Sequence, residues 1–63
     1  MNIQQKTRML AHEKGLIKRF IECRKDREDH WYRVYLDEKV ISYRPSRYEA
    51  WKEAYEYILS LNS

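Results

Sequence analysis

The sequence predicts an α+β fold: a long N-terminal helix, one short strand or a hairpin, and a C-terminal helix, with two copies intertwined as a homodimer. Three observations carry this. Apolar residues recur at helical spacing from Ile3 to Ile21, side chains alternate from Trp31 to Leu36, and a proline followed by a capping pair marks a second helix. The aromatic residues are concentrated as well. Eight of the nine, all but Phe20, lie between Trp31 and Leu59. Rings remove more apolar area from water than other side chains, so this stretch is expected to supply most of the core.

The first helix is expected over about Ile3 to Arg24, with Asn2 and Gln5 as a capping pair. On a helical wheel, Met9, Leu16, Phe20 and Cys23 form one apolar row, and Ile3, Leu10, Ile17 and Ile21 form another. Lys6 and Glu13 fall between them. Two such rows suit a helix that touches its own chain and a partner; one wide core face is the plainer reading. Gly15 costs about 1 kcal/mol inside a helix relative to Ala. It reads either as an interior glycine or as the terminator of a short helix ending near Lys14. The apolar spacing keeps its phase across Gly15, which favours one continuous helix.

Lys25 to His30 is charged throughout and reads as an exposed linker. A strand follows from Trp31 to Leu36. Trp31, Arg33 and Tyr35 face one way, and Tyr32, Val34 and Leu36 face the other. A second extended run, Val40 to Tyr43, comes after Asp37-Glu38-Lys39, which lacks the Asn-Gly or Asp-Gly of a tight hairpin. A two-stranded ribbon is barely stable alone, so the first strand is expected to pair with its copy in a second chain. Pro45 ends the extended run, and Ser46 with Glu49 forms a capping box for a helix reaching about Leu61. Its apolar residues cover more than half its circumference, so it needs cover from more than one neighbour.

Size bounds the answer. A 63-residue chain is one domain that buries only about 60% of its unfolded surface. Small domains lean on disulfides, metals or partners. One cysteine excludes an internal disulfide, and Cys23, His12 and His30 match no zinc spacing, so association is the remaining supplement. Cys23 reads as a small buried hydrophobe. No apolar run approaches the roughly 20 residues of a membrane span, nor the apolar core of a signal peptide. The single cysteine suits a reducing compartment, the cytoplasm.

No cofactor and no enzymatic activity are expected. There is no phosphate-binding glycine loop, no nucleophile elbow and no H-E-x-x-H helix. Asp29-His30 is an acid–base pair by type only, with nothing arranged beside it. Two binding surfaces are expected instead. Trp51, Tyr55 and Ile58 share a stripe of the second helix; with Leu16 and Phe20 they form a docking cleft or dimer interface to which Trp31 and Tyr35 add. The second surface is electrostatic. Residues 1–27 carry eight basic and three acidic side chains, against a balance of −1 in each of 28–45 and 46–63. Arg8, Lys14, Lys18 and Arg19, with Lys25, sit opposite the apolar rows, where a basic stripe tracks phosphates or stays solvated.

The run HWYRVYLDEKVISYRPSRYEAWKEAYEYI, with the chain's length and basic N-terminal helix, resembles the short early proteins that lambdoid temperate phages encode between their recombination and excision genes. The resemblance implies an early protein that promotes lytic development in the host cytoplasm by binding a host or phage protein, with no assigned enzymatic activity. W-Y-R-V followed by an extended return and S-R-Y-E-A-W-K-E-A is also similar to the arm-binding modules of phage integrases, which read DNA with the face of a small sheet. The sequence shows neither the glycine-bearing turns of such sheets nor an evident third strand. The leading expectation is a protein-binding homodimer, and the alternative is a DNA-binding regulator using the basic face of the first helix.

Overall fold

In the computed structural model, which describes residues 1–61, the first helix starts at its capping pair and stops at half the expected length. This helix, α1, spans Ile3–Glu13. The Asn2 side chain accepts from the Gln5 backbone N–H at 2.8 Å, and the Gln5 side chain accepts in return from the Asn2 N–H at 3.2 Å. Lys14 caps the other end and Gly15 follows at φ +67°. The Gly15 N–H donates to His12 and the Leu16 N–H to Ala11, both at 3.0 Å. That pair of bonds is a Schellman motif, and it needs the left-handed residue that glycine supplies without strain. The continuous helix to Arg24 is therefore corrected: Gly15 is a terminator. The apolar phase that carries across it belongs to a loop and then a strand.

That strand, β1, spans Ile21–Lys25. The helical reading passes over the alternation of apolar and polar in Ile21-Glu22-Cys23-Arg24, which is the period of a half-buried strand. β1 pairs antiparallel with β2 (Tyr32–Leu36), which pairs antiparallel with β3 (Lys39–Arg44). The sheet order is β1-β2-β3. Both edges of β2 are occupied, so it cannot pair with its copy as expected. The stretch from Lys25 to His30 is no linker: it ends β1 and makes the first hairpin turn. The β2–β3 connection is a true hairpin without glycine, because Asp37 takes the left-handed conformation at φ +56°. Aspartate tolerates that region better than most residues.

The last helix, α2, spans Arg47–Ser60 with Ser46 as N-cap, as expected. The Glu49 N–H donates to Ser46 Oγ at 3.1 Å. α2 packs on the sheet on one side and on α1 on the other. The core is Ala11, Ile21, Val34, Ile41, Ala50, Trp51, Ala54 and Ile58. Two buried hydroxyls tie the layers together. Ser42 Oγ donates to the Ala50 carbonyl at 2.7 Å, and Thr7 Oγ1 reaches the Ile3 and Trp51 carbonyls at 2.7 and 3.3 Å. Trp51 is 2% exposed and Ile58 fully buried, both inside one chain. The expected docking cleft along α2 is thus closed by α1 and the sheet, and only half-buried Tyr55 of that stripe meets solvent.

Candidate nucleic-acid interface

Because α1 and α2 both lie on one side, the other face of the sheet is uncovered. Strand alternation decides what it carries. The register sets Arg24 beside Arg33 and Arg33 beside Tyr43, and in the next row Glu22 beside Tyr35 and Tyr35 beside Val40. The opposite parity, Cys23, Val34 and Ser42, points to the helices. The expected division of β2, with Arg33 and Tyr35 on one face and Tyr32, Val34 and Leu36 on the other, agrees with Val34 being fully buried.

On the open face Tyr43, Tyr35 and Phe20 are each matched with a guanidinium. Arg33 lies over Tyr43 at 4.3 Å from the ring centroid, and Arg24 over Tyr35 at 4.9 Å and Phe20 at 5.8 Å. Trp31 packs on Tyr43 with centroids 4.8 Å apart. Such contacts attract a flexible arginine to the ring face and restrain it beside the sheet. Carboxylates steer the same groups. Arg24 pairs with Glu22. Arg33 reaches Asp26 at 2.9 Å and Asp29 at 3.6 Å.

The turn that presents Asp26 and Asp29 is built from their own side chains. Asp26 accepts from the Glu28 and Asp29 N–H groups at 2.7 and 3.2 Å, and Asp29 accepts from the Trp31 N–H at 2.9 Å. The Tyr43 hydroxyl donates to Asp29. The bonds from Glu28 and Asp29 hold the Asp26 carboxyl below its usual range. For Asp29 the Tyr43 hydroxyl does most of this, and the same bond raises the tyrosine. Both carboxylates stay charged at neutral pH, and both buttress Arg33. A shallow hollow of about 350 Å³ opens here, lined by Arg24, Lys25, Asp26, Arg27, Arg33 and Tyr35 among others.

The basic residues expected to form a helical stripe are dispersed. Arg8 is on α1, its guanidinium 5.4 Å from the Trp51 ring. Lys14 is the cap of α1, and its Nζ donates to the Leu61 carbonyl at 2.8 Å. Lys18 and Arg19 are in the loop before β1, where their backbone N–H groups, with that of Phe20, bind the Asp37 carboxylate at 3.2, 2.7 and 3.1 Å. No single helix face presents all four. Of the expected interface residues, Leu16 and Phe20 are in that loop, and Trp31 and Tyr35 are on or beside the open face. Sequence reasoning misses Arg24, Arg33 and Tyr43 as site residues. The signal is nevertheless there: Arg24 alternates with Ile21 and Cys23, as Arg33 alternates with Tyr32 and Val34.

Among the described residues no group of His, Cys, Asp and Glu is arranged to hold a metal, and no helix is long and apolar enough to cross a membrane. Comparison with known protein families, with curated proteins and with solved structures finds no match to this chain.

Proposed function

We propose that this chain is a small DNA-binding protein that lays the open face of its three-stranded sheet against a duplex. One observation carries the reading: Arg24 and Arg33 stand side by side on an uncovered sheet face, each guanidinium over an aromatic ring. The major groove, about 12 Å wide, admits a β-ribbon. Arginine is the side chain best fitted to phosphate and to guanine edges. The Arg24–Glu22 pair is exposed enough for water to weaken it, so a phosphate can replace that carboxylate at small cost, while Asp26 and Asp29 hold Arg33 in place. Architecture supports the reading too. β1 supplies the third strand that the likeness to integrase arm-binding modules requires, on a sheet backed by a C-terminal helix. An early phage protein favouring lysis from the host cytoplasm is the setting we propose for it, with a non-enzymatic role at DNA.

The test is fluorescence anisotropy with a labelled mixed-sequence duplex. Binding is expected in the range of about 10⁻⁴ to 10⁻⁶ M at physiological salt, and tighter at low salt. Three phosphate contacts, from Arg24, Arg27 and Arg33, predict an affinity loss of about 40-fold between 50 and 200 mM salt. Arg27→Ala with Arg33→Ala should weaken binding roughly tenfold or more, while Lys18→Ala with Arg19→Ala leaves it within about twofold. Arg27 has no ion-pair partner among the described residues, so Arg27→Ala alone reports on contact without disturbing the fold. No complex at low salt, tighter capture of a single strand, or a reversal of the two variant effects would overturn the proposal.

A further inference from the structure

A three-stranded meander has two outer edges, and this chain treats them differently. On β3 the outward N–H of Tyr43 is taken by the Glu53 side chain at 3.0 Å, Pro45 follows the strand, and a register shift interrupts the ladder beside Val34 and Tyr35. These are the devices by which proteins blunt an edge. β1 is short and charged, but it has no proline, no register shift and no side chain bonded to its outward backbone groups among the described residues. The Asp37 N–H donates to the Phe20 carbonyl, and the Asp26 N–H to the Trp31 carbonyl, both at 2.8 Å. Even-numbered residues of β1 therefore direct their backbone groups at β2. The N–H and C=O groups of Ile21, Cys23 and Lys25 point outward, and among the described residues no backbone group takes them.

We infer that the free edge of β1 pairs antiparallel with β1 of a second copy, Cys23 against Cys23, to make a continuous six-stranded sheet. Charge selects this register from the three that keep the outward groups aligned. Moving the two-fold axis to Glu22 sets Glu22 against Glu22, and moving it to Arg24 sets Arg24 against Arg24. Like charges directly opposite are unfavourable. With the axis at Cys23, Glu22 faces the partner's Arg24 and Arg24 faces the partner's Glu22. This register also pairs all five residues of β1, where the others pair three. Because Cys23 and its copy exchange backbone bonds, Glu22 and the partner's Arg24 fall at a non-hydrogen-bonded position, where strands and side chains come closest. On the helix side Ile21 faces the partner's Lys25, whose stem can cover it. The two open faces lie on the same side of the joined sheet, so a DNA site read by both halves would be two-fold symmetric.

Sedimentation velocity in the absence of nucleic acid tests the pairing independently of the DNA reading. The wild-type chain should pass from 7.9 kDa towards twice that mass as concentration rises. Glu22→Arg and Arg24→Glu, each alone, should raise the dissociation constant by roughly tenfold or more. Mixed together, the two variants should pair as the wild type does, because at positions 22 and 24 every arginine of one chain then faces a glutamate of the other. The double swap Glu22→Arg with Arg24→Glu should also restore pairing. Circular dichroism of each variant confirms the fold. A wild-type chain that stays single, or single variants that fail to pair when mixed although folded, would overturn the inference.

Discussion

Asp37 does at one position what two loops need. Its carboxylate gathers three backbone N–H groups from the α1–β1 loop, and its own left-handed backbone turns β2 into β3. The bonds from Arg19 and Phe20 hold its carboxyl below the ordinary value of 3.8. A carboxyl depressed by folding stabilises the fold above the unfolded value, and that contribution is lost as pH falls through the folded value. Asp37→Asn keeps the turn conformation and removes the charge. We expect it to be less stable than wild type at pH 7 and to converge on it at acid pH, read by urea unfolding at both. A constant difference at all pH values would contradict this role. Trp51 is the second position of consequence. Its ring is 2% exposed between α1 and the sheet, so Trp51→Ala should cost about 3–5 kcal/mol and leave little folded chain at room temperature. Wild-type-like unfolding would show the ring to be peripheral. From sequence, this ring is expected in a docking cleft or dimer interface; the structure buries it within one chain, which a helical wheel cannot show because it does not say whose surface covers the stripe.

At the level of elements, Gly15 separates two folds. A continuous helix would be stabilised by Gly15→Ala by about 1 kcal/mol, because glycine is a poor interior residue. The Schellman end makes the opposite prediction. Nothing stands within 4 Å of an added Cβ, so the penalty is the φ of +67° itself, about 1–2 kcal/mol. A loss of about 1 kcal/mol in a domain of this size lowers the melting temperature by about 4–8 °C. A rise in that temperature would restore the long helix. The α2 boundary is fully legible in the sequence, since Pro45, Ser46 and Glu49 act over a few residues. The two outer strands show the limit of such reading. β3 is found through its β-branched residues. β1 is hidden because its apolar residues, Ile21 and Cys23, alternate as in a strand and also fall on the two apolar rows of a helical wheel, and short apolar runs do not distinguish the two. The turn at Asp37 lacks the expected glycine, yet aspartate reaches the left-handed region with its side chain pinned by the neighbouring loop.

For the whole molecule, the decisive fact is which rings are hidden. Trp51 is buried within one chain, Tyr32 and Tyr57 pack against the core, and Tyr35 and Tyr43 lie under arginines on the open face, with Trp31 packed on Tyr43. Within one chain, Trp31, Tyr35 and Tyr43 are the rings that gather on the open face, while Tyr48 stands exposed on α2. That surface is not legible in the sequence, since it depends on β1 lying beside β2 in one register. The most direct measurement of the account is a backbone amide spectrum of the labelled protein titrated with duplex DNA. The account predicts shifts concentrated at Glu22, Arg24, Arg27, Trp31, Arg33, Tyr35 and Tyr43, with α2 unchanged. Shifts confined to α1 and residues 14–19, or none at saturating DNA, would contradict it.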